Sequence, residues 1–308
     1  MKAIGVLSAR VRVEEKQIIA AVGMAGAVGL CVPPPSTAMP PGPATLDFAS
    51  LGIDQAAAVV ETPGLDRSLS AVIDRCQNRT IAAVALPIMR ASGILVLDAG
   101  MVAERSRLDV ARALNAAGIP RPNCMVGFSE ESGVEAARAV GFPSTLLPLT
   151  AGSMTTSLLD SDTAEAVIEH RVVLGRSTET IVLIQAGSPS AAERTLVHVV
   201  GGRAVAIENA SVGAVGLKMA EQAADAVGAS IISVELAMLD GTLVVWDLHP
   251  VGDFRLATVL GTQSVAEAIV DLALNGIRSA SFAQRNPKGV VPRSSWDVEE
   301  RHGVALTA

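Results

Sequence analysis

Three side chains that could hold a cation or a substrate are predicted to lie together in one hairpin. Asp240-Gly241 separates two apolar runs, and this dipeptide favours the positive φ of a tight hairpin turn. Glu235 falls near the middle of the first strand, while Asp247 and His249 are two apart on the second and so share a face. Two carboxylates and an imidazole on a mostly buried ribbon are costly unless a cation or a substrate offsets them. The hairpin is therefore the first candidate site.

The composition limits the fold, the partners and the compartment. The chain has 308 residues, half of them hydrophobic, which is enough for two or three lobes around a substantial core. A formal net charge of -7 argues against a nucleic-acid partner, because such binding needs clustered Lys and Arg. The three cysteines form no C-x-x-C pair, which predicts a reduced, cytoplasmic protein.

The uncharged run over 18–32 is similar in appearance to a signal peptide or a membrane segment. It is shorter than the roughly 18 residues that a membrane-spanning helix needs, and several glycines interrupt it. We interpret it as the end of a helix over 13–25 followed by a buried strand over 27–32, and we expect no membrane role.

The first hundred residues alternate between predicted strands and helices. Strands are expected at 2–7, 27–32, 56–61, 80–86 and 94–97, a proline-rich loop at 33–43, and helices at 13–25 and from about 63 to 78. This alternation predicts an α/β fold with an N-terminal doubly wound parallel-sheet lobe. No G-x-G-x-x-G follows the first strand, so a dinucleotide site is not expected.

The remaining chain shows the pattern of α+β lobes with antiparallel hairpins. Helices are predicted at 106–117, 130–140, 162–170, 215–227 and 265–274, a strand at 181–184, and a second hairpin around Gly201-Gly202. Ser106 is the expected N-cap of the first of these helices, and Asp162 and Glu165 have the spacing of a capping box. From residue 283 onwards the composition becomes polar, which predicts a C-terminal arm.

Four segments, at 110–120, 199–205, 220–229 and 230–255, carry a resemblance to a known superfamily. Together with the N-terminal alternation they resemble the ATP-grasp superfamily, most of all its RimK/LysX branch. Enzymes of that branch join an amino acid, often glutamate, to a carboxylate through an acyl-phosphate. The resemblance implies an N-terminal domain over 1–97, an ATP-grasp-like domain over 98–282 with lobes at 98–186 and 187–282, and the polar arm over 283–308.

The resemblance also implies a metal site on the hairpin. The family binds magnesium through an Asp, a Glu and an Asn, and the matching positions are Glu235, Asp247 and His249, the first two twelve residues apart as in the family. An imidazole in place of a hard oxygen ligand favours zinc-like ions over magnesium. In the alternative interpretation, Glu235 faces solvent at a sheet edge while Asp247 and His249 pair with one another.

Most nucleotide-binding groups that the resemblance implies have been replaced. The first phosphate-binding lysine matches Arg107, which keeps the charge, but the second matches Leu147, which cannot neutralise a phosphate. The glycine-rich loop at 149–157 holds one glycine and no basic residue, and the adenine-contacting acid falls at Ala186. Each lost charge-assisted contact is worth about 1.5–3 kcal/mol, so we expect ATP binding by the family's route to be very weak.

Other candidate residues stand alone. Arg255 matches a family position near the acceptor substrate and has the geometry to bind a carboxylate, although a solvated surface arginine fits the sequence equally well. His198 in mid-strand and His170 at a helix end are expected to be structural or surface groups. No G-x-S-x-G motif is present.

Two functional hypotheses follow. The first is a RimK-like homologue of small-molecule or coenzyme biosynthesis that is catalytically depleted or partner-dependent, the partner being further copies of the chain or an active ligase. The second is an active ATP-dependent carboxylate–amine ligase with a rewired nucleotide site, in which Glu235, Asp247 and Arg107 are the retained catalytic parts and Arg194 substitutes for a lost lysine. ATP and a divalent cation are cofactors only under the second hypothesis.

Overall fold

The computed structural model describes residues 2–35, 38–39, 42, 45–53, 68–150, 155–174, 181–209 and 212–285. Within these residues no helix is both long and apolar enough to cross a membrane. The described helices and strands form a parallel sheet followed by two antiparallel sheets, in agreement with the predicted fold class.

The N-terminal lobe is a four-stranded parallel sheet with helices on both faces. Its strands are β1 (Ala3–Leu7), β2 (Val28–Val32), β3 (Ala71–Asp74) and β4 (Leu95–Leu97), in the order β2-β1-β3-β4. Helices α1 (Val13–Met24) and α2 (Arg79–Ala91) pack on opposite faces. Alternate residues of β1 separate accordingly, because Ile4 and Val6 face the α1 side while Ala3 and Leu7 face the α2 side.

Two element predictions in this lobe are wrong. The stretch 71–74 was expected to end a helix, but it is the buried strand β3, which lies between β1 and β4. The stretch 80–86 was expected to be a strand, but it lies inside α2, whose first turn is capped by Asn78 Oδ1 accepting from the Ile81 amide (3.2 Å). Its buried residues Ala82, Leu86 and Met89 have helical spacing. They lie in a short apolar run, which fits a buried strand as well as a helix, so periodicity alone does not decide between the two. The predicted strand at 56–61 lies outside the described residues.

The middle lobe is an antiparallel sheet covered by two helices. After the short helix α3 (Met101–Glu104) and α4 (Arg107–Ala116), its elements are β5 (Cys124–Gly127), α5 (Glu130–Val140), β6 (Ser144–Leu147), β7 (Thr156–Leu158), α6 (Ser161–Leu174) and β8 (Val182–Ala186). The strand order is β5-β8-β6-β7. The predicted cap of α4 is confirmed, since Ser106 Oγ accepts from the Asp109 amide (3.3 Å). The cap of α6 differs from the prediction, because Asp160 rather than Asp162 accepts from the Thr163 amide (2.8 Å).

The last lobe is a five-stranded antiparallel sheet. Its elements are β9 (Arg194–Val200), β10 (Arg203–Glu208), α7 (Gly213–Ala226), β11 (Ile231–Leu239), β12 (Thr242–His249), β13 (Thr258–Val259) and α8 (Val265–Arg285), with strand order β12-β11-β9-β10-β13. The Asp240-Gly241 turn is confirmed, with φ of 49° and 77°. Helix α8 extends eleven residues beyond its predicted end at 274 and packs against α1 and the N-terminal sheet. Of the predicted arm, 283–285 belong to this helix, and the rest lies outside the described residues.

Candidate functional site

A cleft between the two antiparallel sheets is closed by an ion pair. Arg107, the first residue of α4, and Asp247, on β12, are almost buried, with side chains 5% and 10% exposed. Arg107 Nε donates to Asp247 Oδ1 (3.2 Å) and Nη2 to Oδ2 (2.7 Å), while Nη1 donates to the carbonyls of Pro148 and Thr150 (both 2.8 Å). Every nitrogen of the guanidinium is therefore engaged by the chain itself.

The same cleft contains little free volume. A cavity of about 30 Å³, room for about one water, lies between α4, β6, β8 and β12. Leu147 is buried in its wall, and Gln185 closes it by donating from Nε2 to the Trp246 carbonyl (3.2 Å). A nucleotide needs hundreds of Å³, so the cleft in this conformation does not accommodate one.

Glu235 and His249 form a separate pair on the neighbouring strands. His249 Nε2 donates to Glu235 Oε2 (3.1 Å), and Arg194 Nη1 lies 3.0 Å from Glu235 Oε1. Glu235 stands opposite Asp247 in the ladder, beside a bulge that leaves Trp246 without a cross-strand partner. Trp246 is buried.

The pairing accounts for the charge states of these groups. Burial alone would raise the pKa of Asp247, but Arg107 and His249 together hold that pKa below its usual value. Burial alone would lower the pKa of His249, but its hydrogen bond to Glu235 and the charges of Asp247 and Glu235 raise it.

The three predicted metal ligands thus lie on adjacent strands, but each carboxylate has its own cation. Over the residues that the structure describes, no group of three or more His, Cys, Asp or Glu side chains is placed to hold a metal ion. The alternative interpretation is wrong, because β11 is an inner strand, Glu235 is only 14% exposed, and His249 pairs with Glu235 rather than Asp247. With Arg107 engaged and Leu147 buried, the residues present do not fit the Mg-ATP of the family.

A second polar group, which sequence reasoning missed, lies where the N-terminal sheet meets the last lobe. We call it the junction cluster, and it consists of Glu14, Arg75, His198, Glu208, Asp253 and Arg255. Its members come from α1, the end of β3, β9, β10 and the segment after β12. Only Arg255 was a predicted site residue, and its guanidinium is already bound to Asp253 by several hydrogen bonds, including Nε to Oδ2 (2.8 Å).

Close packing fixes the inner side of the junction cluster. His198 Nδ1 and Ser233 Oγ share a hydrogen bond of 2.8 Å, and Arg75 donates from Nη1 to the Gly252 carbonyl (2.7 Å) and from Nε to Glu15 (3.0 Å). Burial, followed by the charge of Arg75, lowers the pKa of His198 to about 4, so this imidazole is neutral at physiological pH. The expectation of a structural His198 agrees with its burial and hydrogen bond. The sequence signal for the junction cluster was weak, because Glu14 and Glu15 at the start of α1 also fit an ordinary, favourable first helical turn.

No family model matches the chain. Solved structures do match it. A RimK-domain ATP-grasp protein of Sphaerobacter thermophilus superposes with a TM-score of 0.70 at 25% identity, covering 88% of this chain and 99% of that one. The D-alanine–D-alanine ligase of Bacillus anthracis, complexed with ATP, gives 0.58 at 14% identity over 94% and 100% of the two chains. The macrocyclase MdnC of Microcystis aeruginosa, bound with its precursor peptide MdnA, gives 0.59 at 13% identity over 89% and 100%.

These likenesses confirm the predicted superfamily: the chain has the ATP-grasp fold over most of its length.

Proposed function

We propose that this chain is a RimK-like ATP-grasp homologue of small-molecule or coenzyme biosynthesis that has lost ligase activity of its own. The observation that carries the proposal is the two-point pairing of Arg107 with Asp247 across the cleft. By resemblance, the first position serves nucleotide phosphate and the second serves metal. In this chain Arg107 and Asp247 bind each other, and neither side chain is available to Mg-ATP.

The energetics favour the closed cleft over a nucleotide complex. Binding Mg-ATP by the family's route requires Arg107 and Asp247 to separate, which breaks their two charge-assisted hydrogen bonds at about 1.5–3 kcal/mol each. The interactions gained with the nucleotide are few, because Leu147 offers no hydrogen bond. The Arg107 guanidinium would also lose its hydrogen bonds to two backbone carbonyls. Each charge-assisted contact is worth about 1.5–3 kcal/mol, so one recovered arginine contact does not offset the loss.

The role that we propose is binding. The match covers 99% of the RimK-domain protein, so the lobes are retained although the nucleotide groups are replaced. The junction cluster lies outside the closed cleft and is built from buried charged groups that the ion pair at Arg107 does not involve. We infer that the chain works as a ligand-binding or regulatory subunit, either as a homo-oligomer or docked on an active ligase.

Calorimetric titration with ATP, in magnesium and then in manganese, tests the loss of nucleotide binding. We expect no saturable heat at millimolar ATP, while an active ATP-grasp ligase run in parallel binds normally. Saturable binding accompanied by acyl-phosphate formation would contradict the proposal. Sizing the protein alone and with a candidate ligase tests the partner, because a docked subunit elutes in the larger complex.

An active carboxylate–amine ligase is the second candidate, and one observation favours it. Glu235 and Asp247 stand directly opposite each other on adjacent strands, as two carboxylates that share a metal would. Under this hypothesis, the double variant Glu235→Ala, Asp247→Ala abolishes any ATP-dependent ligation that the wild-type protein shows. Ligation that survives the double change would show that the hairpin is not part of the active site.

A further inference from the structure

The two edges of the five-stranded sheet in the last lobe differ in what lies beside them. At the β12 edge, the Val245 amide donates to the Pro120 carbonyl (2.9 Å), and Gln185 of the middle lobe donates to the Trp246 carbonyl. At the other edge, β13 pairs with β10 on its inner side, and both of its residues are exposed. An open edge presents backbone groups with which another strand can pair.

The register of β13 fixes which backbone groups point outward. Val259 stands opposite Ala206, and the next residue, Leu260, donates from its amide to the Val205 carbonyl (2.9 Å). Hydrogen-bonded and non-hydrogen-bonded pairs alternate along an antiparallel ladder. The backbone of Leu260 therefore faces β10, while Val259 directs its N–H and C=O away from β10, toward the open side.

The side chains of this edge are apolar and uncharged. Residues 256–264, which form β13 and lead into α8, include no charged side chain, although the whole chain has a formal net charge of -7. Leu256, Val259 and Leu260 are 88%, 40% and 42% exposed. Soluble proteins commonly protect an open edge with charged residues or by keeping its strand short. Here the strand is short, but its exposed apolar side chains favour association.

An apolar groove runs beside the edge, on the face of the sheet that α1 and α8 cover. Its volume is about 330 Å³, and its walls include Ala20 and Met24 of α1 and Ala257 and Val259 of the edge. Met24 is 76% exposed. A partner that pairs with β13 would therefore also cover apolar side chains on this face of the sheet.

The charge pattern favours a second copy of the chain as that partner. The charged side chains that line the groove are engaged within the chain, Arg255 by Asp253 and Glu267 by Ser264. An uncharged edge attracts neither a basic nor an acidic partner, but it lets two negatively charged copies meet without bringing like charges together. Identical strands that pair antiparallel are related by a two-fold axis, so the same surface serves both copies.

We propose that two copies of this chain associate by pairing their β13 strands antiparallel about a two-fold axis at Val259. On that axis the two Val259 residues exchange both N–H···O=C hydrogen bonds, and Thr258 of each copy stands opposite Leu260 of the other. The axis is perpendicular to the sheet, so the two grooves adjoin and each copy covers Met24 of the other. The inference rests on the proposed subunit role and names the surface through which a homo-oligomer forms.

Sedimentation equilibrium of the full chain, over a wide range of protein concentration, is the first test. We expect twice the monomer mass, and exchange of the Val259 amide hydrogen that slows as the dimer forms. The Leu260 amide, already bonded to Val205, is the internal reference. A monomer at every concentration would overturn the inference, and so would a monomer that associates only with an active ATP-grasp ligase.

A proline substitution tests the backbone pairing. Val259→Pro removes the outward N–H but no hydrogen bond to β10, a position where an edge strand tolerates proline. Because both interchain bonds are lost, we expect the dissociation constant of the dimer to rise at least about tenfold. Val259→Thr keeps the amide and is the matched control, which should dimerise as the wild type does. Urea denaturation shows whether each variant is folded.

A charge at the edge supplies a test that leaves the backbone intact. Leu260→Lys should also weaken the dimer at least about tenfold, because pairing then removes an ammonium group of each copy from water. Leu159→Lys, at an exposed position of the middle lobe, is the control and should have no effect.

A mixture of two variants tests the register. Leu260→Lys mixed with Thr258→Glu should associate more tightly than either variant alone, because the two-fold pairing places the new carboxylate opposite the new ammonium group. A dimer that Val259→Pro and Leu260→Lys leave unchanged would show that the interface lies elsewhere and would overturn the inference. Dimer mass and ATP binding are separate measurements, so failure of this inference and failure of the proposed loss of ligase activity are distinguishable.

Discussion

Arg107 and Asp247, 140 positions apart in sequence, meet through two parallel hydrogen bonds of 3.2 and 2.7 Å across the cleft. The geometry is the two-point match of guanidinium and carboxylate that makes arginine the preferred partner of buried acids. Arg107 also donates to the carbonyls of Pro148 and Thr150, so it joins α4, β12 and the segment after β6. The pair is therefore a structural connection between lobes as well as a block at the nucleotide cleft.

Removing one partner of this pair should be strongly destabilising. Asp247→Ala leaves the buried Arg107 charge without a counter-ion, and we expect a loss of about 3–5 kcal/mol in the free energy of unfolding. The exposed pair Arg138–Glu165, with side chains 57% and 56% exposed, is the control, and Glu165→Ala should cost about 0–1 kcal/mol. Urea denaturation measures both. Equal losses of unfolding free energy in the two variants would show that the Arg107–Asp247 pair does not stabilise the fold more than an exposed ion pair does.

His249 should make the protein less stable as the pH rises. Its pKa is raised in the folded state, so the stabilisation is complete below the unfolded value of about 6.5 and is lost as the pH passes through the folded pKa. We expect His249→Gln to remove this decline, because the amide does not titrate. Unfolding free energies of both proteins between pH 5.5 and 8.5 measure the difference, and parallel curves would contradict the Glu235–His249 pairing.

The secondary structure of the last two lobes follows from local signals, and that of the first only partly. Asp240-Gly241 and Ser106 act through their own neighbouring residues, so turn and cap chemistry predict them. The run around Ala82–Leu86 was misread as a strand because a short apolar run fits either period, and the deciding residue is the cap Asn78.

The candidate sites were predictable in composition but not in pairing. Spacing and resemblance bring Glu235, Asp247 and Arg107 to one region, yet neither says that Arg107 would bind Asp247 while Glu235 takes Arg194 and His249. Glu14 was missed altogether. Its burial depends on the segment that carries Arg255, some 240 residues away, and long-range packing of that kind leaves no mark in helical periodicity.

His198 should destabilise the fold at mildly acidic pH. Its folded pKa of about 4 lies below the unfolded value of about 6.5, so the unfolded state binds the extra proton and stability falls as the pH drops through that interval. The full difference is about 3 kcal/mol at 1.36 kcal/mol per unit. His198→Gln should flatten the loss between pH 6.5 and 4, whereas the exposed His170→Gln should leave it unchanged. A wild-type loss that persists in His198→Gln would assign the acid sensitivity to other groups.

Gly252 is the position at which the smallest side chain should disrupt the junction cluster. A Cβ added there would lie 1.9 Å from Ser233 Oγ and 2.7 Å from Ser233 Cβ, so either the strand or the segment after β12 must move. That segment presents the Gly252 carbonyl to Arg75 and carries Asp253 and Arg255, so the shift also displaces the outer side of the cluster.

We expect Gly252→Ala to lower the unfolding free energy by about 1–3 kcal/mol, the usual effect of overpacking. Gly261→Ala is the matched control, since an added Cβ there meets nothing within 4 Å on the exposed segment before α8. Ser233→Gly removes both the clash and the hydrogen bond to His198 Nδ1, so it is made alone and in the Gly252→Ala background. The strand glycine (about 0.5–1 kcal/mol) and the unpaired imidazole (about 1–3 kcal/mol) lower the stability of both proteins equally, and adding Gly252→Ala to Ser233→Gly should cost little more. Urea denaturation of the five proteins measures the series. If Gly252→Ala matches wild type, the segment is not held against β11, and the junction cluster is open rather than closed over Glu14.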